Sequence, residues 1–378
     1  MIRKERILAC CEHKPVDRVP VYHCSISSRM ASILLGRTAH VGGAIQRWHE
    51  ALALWEGEDA HEEFLARTKR DTIDVAKALD VDLVRVAWWR LTKKPTERID
   101  EYTFLYGEPD GRWEVMRFDP DTELYQTIDR SSRPTPTEAD LEPAVIRMEK
   151  AAENHRPTAD SFPDIQMGLQ AFDHERAVPG TGVGVGILRE EIWLEAMVTH
   201  PDLVGRWLDA QAESDIRNIE AQSKLDVQVM LGGGDMASYK GPMYSPRAFR
   251  EIILPRLKRV VDACHARGKY YFFASDGDLW PIADDLFPNV DGFYEIDRRA
   301  GMDLAKLRER YPHLTLIGNI SSHTLHLGAK EEVIEETRSC IEAARKYGSI
   351  IVGVSNLIMP QTPEANLHAM LDTLRENR

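Results

Sequence analysis

The chain has 378 residues, of which 43% are hydrophobic and 29% are charged, and its formal net charge at pH 7 is -13. This composition is typical of a folded globular protein. The acidic balance argues against nucleic acid or an anionic membrane as a partner, because phosphate groups are bound by basic surfaces. Residues 1–14 lack signal-peptide features, and no apolar run approaches the roughly 18 residues of a membrane span, so we expect a cytoplasmic protein.

The cysteines also argue against a secreted protein. They are five in number, with no CxxC or HxC spacing, and comprise Cys10, Cys11, Cys24, Cys264 and Cys340. An odd number without such spacing indicates neither a disulfide framework nor a cysteine zinc site. We expect reduced thiols, most of them buried, and Cys24 is of interest because it follows the first predicted strand.

The N-terminal third combines helices with isolated strands. Residues 1–80 read as mostly helical around one strand at Arg18–His23, and a second strand is predicted near Asp82–Val86. Between residues 101 and 129, strand-like pieces alternate with turn residues that include Asp110-Gly111, a pair typical of hairpins. We interpret this stretch as an antiparallel hairpin insertion.

From residue 182 onwards strands and helices alternate regularly. Predicted helices cover Glu190–Val198, Leu203–Ser223, Pro246–Ala266 and Lys330–Tyr347. Over the whole chain the predicted strands number eight, and they centre near Val19, Val84, Val185, Val229, Phe272, Phe293, Leu316 and Val352. Eight strands of this kind close a TIM (β/α)8 barrel, and the absence of a composition break predicts a single domain over 1–378.

Polar residues end five consecutive predicted strands. The clearest case is YYFFASDGDL at residues 270–279, and the full set is Asp235, Asp276 with Asp278, Glu295, Asn319 and Asn356. The carboxyl ends of barrel strands form the rim at which enzymes of this fold carry their active sites. Short polar side chains that end buried strands therefore predict a catalytic rim.

Three carboxylates are the predicted catalytic residues: Asp235, Asp276 and Glu295. Mutual proximity and burial would raise one carboxyl pKa enough for general-acid work. Asp276 and Asp278 flank a glycine, so we expect one to face the cavity and the other to cap the following helix. A salt bridge from Glu295 to Arg298 or Arg299 is the competing structural role.

A further set of residues is predicted to bind substrate. Its members follow or precede strands and comprise His23, Trp88, His174, Tyr239, Asp278, Asn319 and Asn356. Each also has a structural interpretation: a satisfied buried histidine, core packing for Trp88, or a loop-structuring amide.

Several segments carry a family resemblance. They include RKERILACCEHKPVDRVPV at the start, GPMYSPRAFREIILPRLKRVVDACHARGK, SDGDL, LTLIGNISSHTLHLGA and PQTPEANLHAMLDT. Together they resemble the uroporphyrinogen decarboxylase superfamily over nearly the whole chain. The resemblance implies a β/α barrel, a homodimer, and one of two chemistries: decarboxylation of a tetrapyrrole or transfer of methyl groups involving corrinoid proteins.

The sequence departs from two branches of that superfamily. The decarboxylase branch has an arginine-rich segment after the first strand, where this chain has only Arg29 and Arg37, and a histidine where it has Asn356. The thiol-methylating branch holds zinc at positions that correspond to Ala274, Asp276 and Asn356, none of them a soft ligand.

The remaining group transfers a methyl from a small substrate, such as a methoxylated aromatic, to a corrinoid (cobalamin) on a partner protein. That activity is the prediction; a carboxy-lyase acting on a carboxylated substrate is the alternative. Zinc stays open through Glu138, Glu153 and His174, whose spacing resembles a zinc motif of ether-cleaving methyltransferases, and Glu153 and His174 are the candidate ligands. One continuous helix would hold Glu138 and Glu153 about 22 Å apart, so the Glu142-Pro143 step would have to redirect the chain.

Overall fold

The computed structural model of the protein describes residues 1–86, 90–108, 110–186 and 189–378. The described strands, in chain order, are β1 Ser25–Ile26, β2 Glu97–Arg98, β3 Thr103–Gly107, β4 Trp113–Asp119, β5 Leu124–Arg130, β6 Gly180–Val183, β7 Val229–Gly233, β8 Ala237–Ser238, β9 Gly241–Pro242, β10 Tyr270–Ala274, β11 Gly292–Tyr294, β12 Thr315–Ile317, β13 Ile350–Ile351 and β14 Leu357–Ile358.

The described α-helices are α1 Arg3–Cys11, α2 Ser28–Leu35, α3 Ala44–Glu56, α4 Glu58–Ala78, α5 Glu138–Asn154, α6 Pro163–Ala171, α7 Glu191–Thr199, α8 Pro201–Gln222, α9 Pro246–Ala248, α10 Leu254–His265, α11 Ala283–Leu286, α12 Leu304–Arg310, α13 Ser322–Leu327, α14 Lys330–Tyr347 and α15 Glu364–Asn377. None of these helices is long and apolar enough to cross a membrane.

The local reasons for these helices are visible in the sequence. In α14 the buried residues Val333, Thr337, Ile341 and Ala344 recur at helical spacing, with acidic residues in the first turn and basic residues in the last. Helices α9 and α10 are joined by a π-helical turn at Phe249–Ile253. Pro255 follows that turn and has no N–H to donate to Glu251, which favours the local change of hydrogen-bond register.

Six parallel strands form the main sheet in the order β13-β12-β11-β10-β7-β6. Two extended segments complete the ring. The segment that contains Asp82 and Leu83 lies beside β6, because Leu83 forms a parallel bridge with Ala177. The segment that contains Val21 lies next to it, because the N–H of Asp82 donates to the carbonyl oxygen of Val21 at 2.8 Å. Val21 in turn bridges Val352 at the end of β13. The six strands and these two segments together form the eight-membered ring of a TIM barrel.

The third barrel strand lies earlier than predicted. It covers Gly180–Val183 and not the region near Val185, and its pairing with β7 shifts register between Gly180 and Val183. Gly182 has a φ of +70°, a left-handed conformation that glycine adopts readily, and it interrupts regular pairing there.

The insertion is confirmed and is larger than one hairpin. Strands β2 to β5 form a four-stranded antiparallel sheet from Glu97 to Arg130. One face packs on α3 through an aromatic core that contains Phe104, Tyr106 and Phe118.

A distinct apolar cluster fills the barrel interior. Its residues come from alternate positions of the strands, among them Tyr22, Leu83, Leu231, Phe272 and Tyr294. From α1, Ile7, Cys10 and Cys11 close the end at which the strands begin. Complete burial of one such side chain contributes roughly 1.5–3 kcal/mol to stability. We call this cluster the apolar plug. It fills the barrel at the end where the strands begin, so the opposite end is the mouth.

Candidate active site

The first layer above the apolar plug is polar. Side chains two residues apart on a strand point the same way, so Tyr22 is followed by Cys24, Leu83 by Arg85, and Ala274 by Asp276. On these three segments the sequence changes from apolar to polar at one depth, whereas Ile296 and Gly353 stand two residues after Tyr294 and Ile351. That depth is where the strand ends meet, and it defines the floor of the mouth.

Asp276 is held beside an amide and other carboxylates. The Nδ2 of Asn356 donates to its Oδ2 at 2.8 Å, and its own backbone N–H donates to Oδ1 of Asp235 at 3.4 Å. Burial raises the pKa of Asp276 to about 7, the carboxylates of Glu295, Asp235 and Asp297 add to the rise, and the Asn356 hydrogen bond opposes it. Asp276 can therefore both donate and accept a proton near neutral pH.

Glu295 follows β11 in a left-handed conformation, with a φ of +61°. Its Oε1 accepts a hydrogen bond from the Sγ of Cys24 at 3.0 Å. Burial raises the pKa of Glu295, while the Cys24 bond and the charge of Arg85 act in the opposite direction. A non-glycine residue with positive φ at a strand end is uncommon, and here it accompanies a carboxyl group at the cavity wall.

His23 is buried and electrically neutral. Its Nδ1 accepts a hydrogen bond from the backbone N–H of Val354 at 3.2 Å, and burial lowers the pKa of the imidazole to about 4. An accepting Nδ1 places the proton on Nε2, which has no partner among the described residues. His23 therefore has a free donor in the wall of the site.

Two cavities meet at Asn356. The inner one, of about 450 Å³, is lined by His23, Cys24, Arg85, Glu295 and Asn356 together with apolar side chains. The outer one has a volume of about 520 Å³, and its lining includes Asp276, Asn356 and Ser355 with Arg299, His323 and Tyr239. Both volumes suit a small ligand. The Asp276–Asn356 hydrogen bond lies where the two cavities adjoin.

The two aspartates of the SDGDL segment have different surroundings. Asp276 lines the outer cavity, whereas the Oδ1 of Asp278 accepts from the backbone N–H of Trp280 at 2.9 Å and so caps the next turn. Asp235 is ion-paired through Oδ2 with Arg189. Tyr239 is 72% exposed on the loop between β8 and β9, at the edge of the outer cavity.

Some predicted site residues are placed elsewhere, which corrects the expectation for their side chains. The Nδ2 of Asn319 donates to the carbonyl of Met302 at 3.0 Å, and its Oδ1 accepts from Arg298 at 3.2 Å, so both ends of the amide serve the fold. His174 precedes β6 and pairs with Asp226 at 2.7 Å, at the closed end of the barrel. Trp88 lies outside the described residues.

The predicted metal ligands are not assembled. Glu153 is exposed on α5, and Glu138 at the start of that helix pairs with His200 at 2.9 Å. Within the described ranges, no group of three or more His, Cys, Asp or Glu side chains is arranged to hold a metal ion. Zinc through Glu153 and His174 is therefore unsupported by the geometry.

Two residues of the site were not among the predicted catalytic or binding groups. Arg85 and Cys24 both face the inner cavity. Burial would lower the pKa of Arg85, but Tyr22, Tyr294, Cys24 and Glu295 together raise it, so the side chain stays cationic. Counting two residues on from the plug positions Leu83 and Tyr22 would have found both residues.

The chain is similar in sequence to a known protein family. Residues 187–377 match the family model described as Uroporphyrinogen decarboxylase (URO-D). A curated uroporphyrinogen decarboxylase from Anaeromyxobacter sp. (strain Fw109-5) is 31% identical over 127 residues, which are 33% of this chain and 35% of that protein. The match thus spans about a third of the relative's length.

The fold has a counterpart among solved structures. A methyltransferase from Methanosarcina mazei superposes with a TM-score of 0.64 and 18% sequence identity, and the superposition covers 100% of this chain and 99% of that chain. At this identity the likeness establishes the fold, and the chemistry has to be argued from the site.

Proposed function

The chain belongs to the uroporphyrinogen decarboxylase (URO-D) family, and from this premise we propose that it is a methyltransferase that moves a methyl group from a small methoxylated aromatic substrate to a corrinoid protein. The departures from the decarboxylase pattern support this choice, since the arginine-rich segment and the histidine of that branch are lacking. The five cysteines, none of them in a disulfide, agree with the cytoplasm as the proposed location.

The observation that carries the proposal is the pair of adjoining cavities. A transfer reaction needs two reactants to meet at one point, whereas a simple decarboxylation needs room for one. The inner cavity, with apolar side chains over much of its wall, would hold the small donor, and the more polar outer cavity would receive the acceptor. Asn356 belongs to both, with Asp276 beside it.

The chemical demand of ether cleavage matches Asp276. When the methyl–oxygen bond breaks, the bonding pair stays on the aryl oxygen, which needs a proton. The protonated carboxyl of Asp276 supplies that proton, and the resulting carboxylate keeps its hydrogen bond from Asn356. A pKa of about 7 leaves a substantial fraction of Asp276 protonated at neutral pH, and burial also raises the pKa of the Glu295 carboxyl at the inner wall.

The outer cavity suits a large polar group. Its wall carries the hydroxyls of Ser238, Ser321, Ser322 and Ser355, which can hydrogen-bond amide substituents of the kind that surround a corrin ring. These serines, with Arg299 and His323, are the residues that would hold the corrinoid face. Bound there on its partner protein, a corrinoid would supply a nucleophilic cobalt as the methyl acceptor.

The test is a methyl-transfer assay. Purified protein is mixed with a corrinoid-binding partner protein in its reduced state and with a panel of methoxylated aromatics, and the visible spectrum of the corrinoid is followed. We expect conversion to the methylated spectrum with at least one compound. A flat spectrum across the panel, with release of carbon dioxide from a carboxylated substrate, would contradict the proposal and support a carboxy-lyase.

A further inference from the structure

Arg85, whose side chain is exposed at the inner cavity, differs from two buried arginines. Arg176 donates to the carbonyl oxygens of Ala76 and Val81, and Arg308 donates to three backbone carbonyls. Arg85 makes no hydrogen bond and no ion pair within 4 Å among the described residues, although it lines the inner cavity. A guanidinium carries five N–H donors in a planar fork that matches a carboxylate.

A second unpartnered donor lies next to it. The hydroxyl of Tyr22 is buried, has no hydrogen-bond partner among the described residues, and interacts electrostatically with Arg85. An unpartnered buried hydroxyl is costly unless a ligand or water completes it. Tyr22 does not itself line the inner cavity, so Arg85 and the Nε2 of His23 are the donors that the cavity presents without an acceptor among the described residues.

One part of the inner cavity wall is apolar. Helix α4 contributes Val75, Ala76 and Leu79, and Val41 and Leu357 lie on other sides. Such walls favour an apolar or aromatic body, because burial of apolar surface is stabilising. A ligand that satisfies the whole cavity thus combines an acceptor group with an aromatic body.

We propose that Arg85 binds a carboxylate on the substrate, so that the donor is a methoxylated aromatic acid and not a neutral ether. The inference rests on the proposed function only for the methoxy group; the carboxylate follows from the unpartnered donors. The acid group lies against Arg85, and the methoxy group reaches towards Asn356 and Asp276. Arg85 is a specificity-determining residue in this arrangement.

One alternative uses the same residue differently. Glu295 is close enough to Arg85 for their charges to interact, so the guanidinium could serve only as its distant counter-charge. The two roles predict different ligand affinities. A counter-charge alone gives no preference between an acid and its neutral amide.

The experiment is binding calorimetry on the protein alone, without corrinoid partner. The probes are 2-, 3- and 4-methoxybenzoate, each matched with the corresponding methoxybenzamide, which has the same shape without the charge. We expect at least one acid to bind roughly 10- to 100-fold more tightly than its amide, the range that a hydrogen bond to a charged group provides. Equal affinity for every acid and amide pair in the wild-type protein overturns the proposal.

Variants locate the effect. Arg85→Gln should weaken binding of the acid to the affinity of the amide and leave amide binding unchanged, and Arg85→Lys should keep part of the preference for the acid. The matched control is Arg247→Gln, at a surface arginine paired with Glu251, which should behave as wild type. An unchanged acid preference in a folded Arg85→Gln protein also overturns the assignment.

The outcomes separate this inference from the proposed function. If an acid binds through Arg85 but no methyl transfer follows, the carboxylate site is supported and the proposed methyltransferase activity is contradicted. If neutral ethers bind and react as well as the acids, the methyltransferase activity is supported and the proposed role of Arg85 is contradicted.

Discussion

The two ends of the barrel differ in whether their charged side chains are paired. At the closed end Asp82 is completely buried and accepts from Arg6 at 2.5 Å and from the backbone N–H of Val21 at 2.9 Å, with Arg378 at 3.5 Å. At the mouth Arg85, three residues later on the same segment, has no hydrogen-bonding partner among the described residues. Asp276 there has a raised pKa and carboxylate neighbours.

This difference indicates what each end is for. Charges that satisfy one another lock elements together, here α1, the second barrel segment and the C-terminus. Charges left without partners cost stability and persist where a ligand uses them. In barrels of this kind the two faces have the same division, with stability at the end where strands begin and catalysis at the end where they finish.

Among tests of this difference between the two ends, Asp82→Asn at the closed end should have the largest effect. Loss of the buried carboxylate removes one charge partner of Arg6, which stays paired with Asp17, and breaking a buried ion pair from one side costs at most about 3–5 kcal/mol. We expect the free energy of unfolding, measured by urea denaturation, to fall by up to that amount.

The control for Asp82→Asn is Asp372→Asn. Asp372 forms an exposed pair with Arg375, and the loss of a surface pair changes stability by less than about 1 kcal/mol. If the two variants lose equal stability, the closed end is not a structural lock.

At the mouth the same kind of substitution should affect rate and not stability. Asp276→Asn removes the acid but keeps a polar side chain beside Asn356. We expect methyl transfer at neutral pH to slow by roughly 100-fold or more, the usual contribution of a general acid, with the unfolding free energy unchanged or higher. Kinetics and denaturation on one preparation measure both, and a stable variant with wild-type turnover would remove Asp276 from the mechanism.

Much of the fold could be predicted because its signals are local. Apolar strands, helical spacing and turn pairs lie within short windows, and α14 has the predicted ends, Lys330 and Tyr347. The third strand was misplaced because Gly182 breaks a GVGVGIL run that looks uniform in sequence. The insertion was underestimated because β2 is only two residues long and its pairing depends on β3.

The site was harder to predict because it depends on contacts between distant residues. The pairing of Asp276 with Asn356 joins residues 80 positions apart, and that of Cys24 with Glu295 joins residues 271 apart. Residue type alone did not distinguish Asn356, which lies at the cavity, from Asn319, whose amide is used by Met302 and Arg298. Strand parity held the missing information, because it places Arg85 in the same layer as Asp276.

The smallest expected effect is a difference in pH dependence between Asp226 at the closed end and Asp276 at the mouth. Burial opposes ionisation of Asp226, but hydrogen bonds from Lys4, Gln228 and His174 prevail and lower its pKa to about 2. Its folded pKa lies below the ordinary 3.8, so its stabilisation is present above about pH 4 and is lost as pH falls towards 2. Asp276 has a folded pKa of about 7, so it keeps its proton in the folded state while the unfolded chain releases it, and stability declines as pH rises from about 4 to 7.

Denaturation of wild type, Asp226→Asn and Asp276→Asn from about pH 3 to about pH 8 measures both slopes. Relative to wild type, Asp276→Asn should gain on the order of 1–2 kcal/mol as pH rises from 4 to 7, a figure reduced because the carboxyl is partly exposed to solvent. Asp226→Asn should lose relative stability as pH rises from 3 to about 5 and remain constant above it. If the free energies of unfolding of the two variants changed with pH in parallel, Asp276 would not differ from Asp226 in its effect on stability. The expected difference arises because Asp276 is held in its neutral form, which makes the folded wild-type protein less stable as pH rises towards 7.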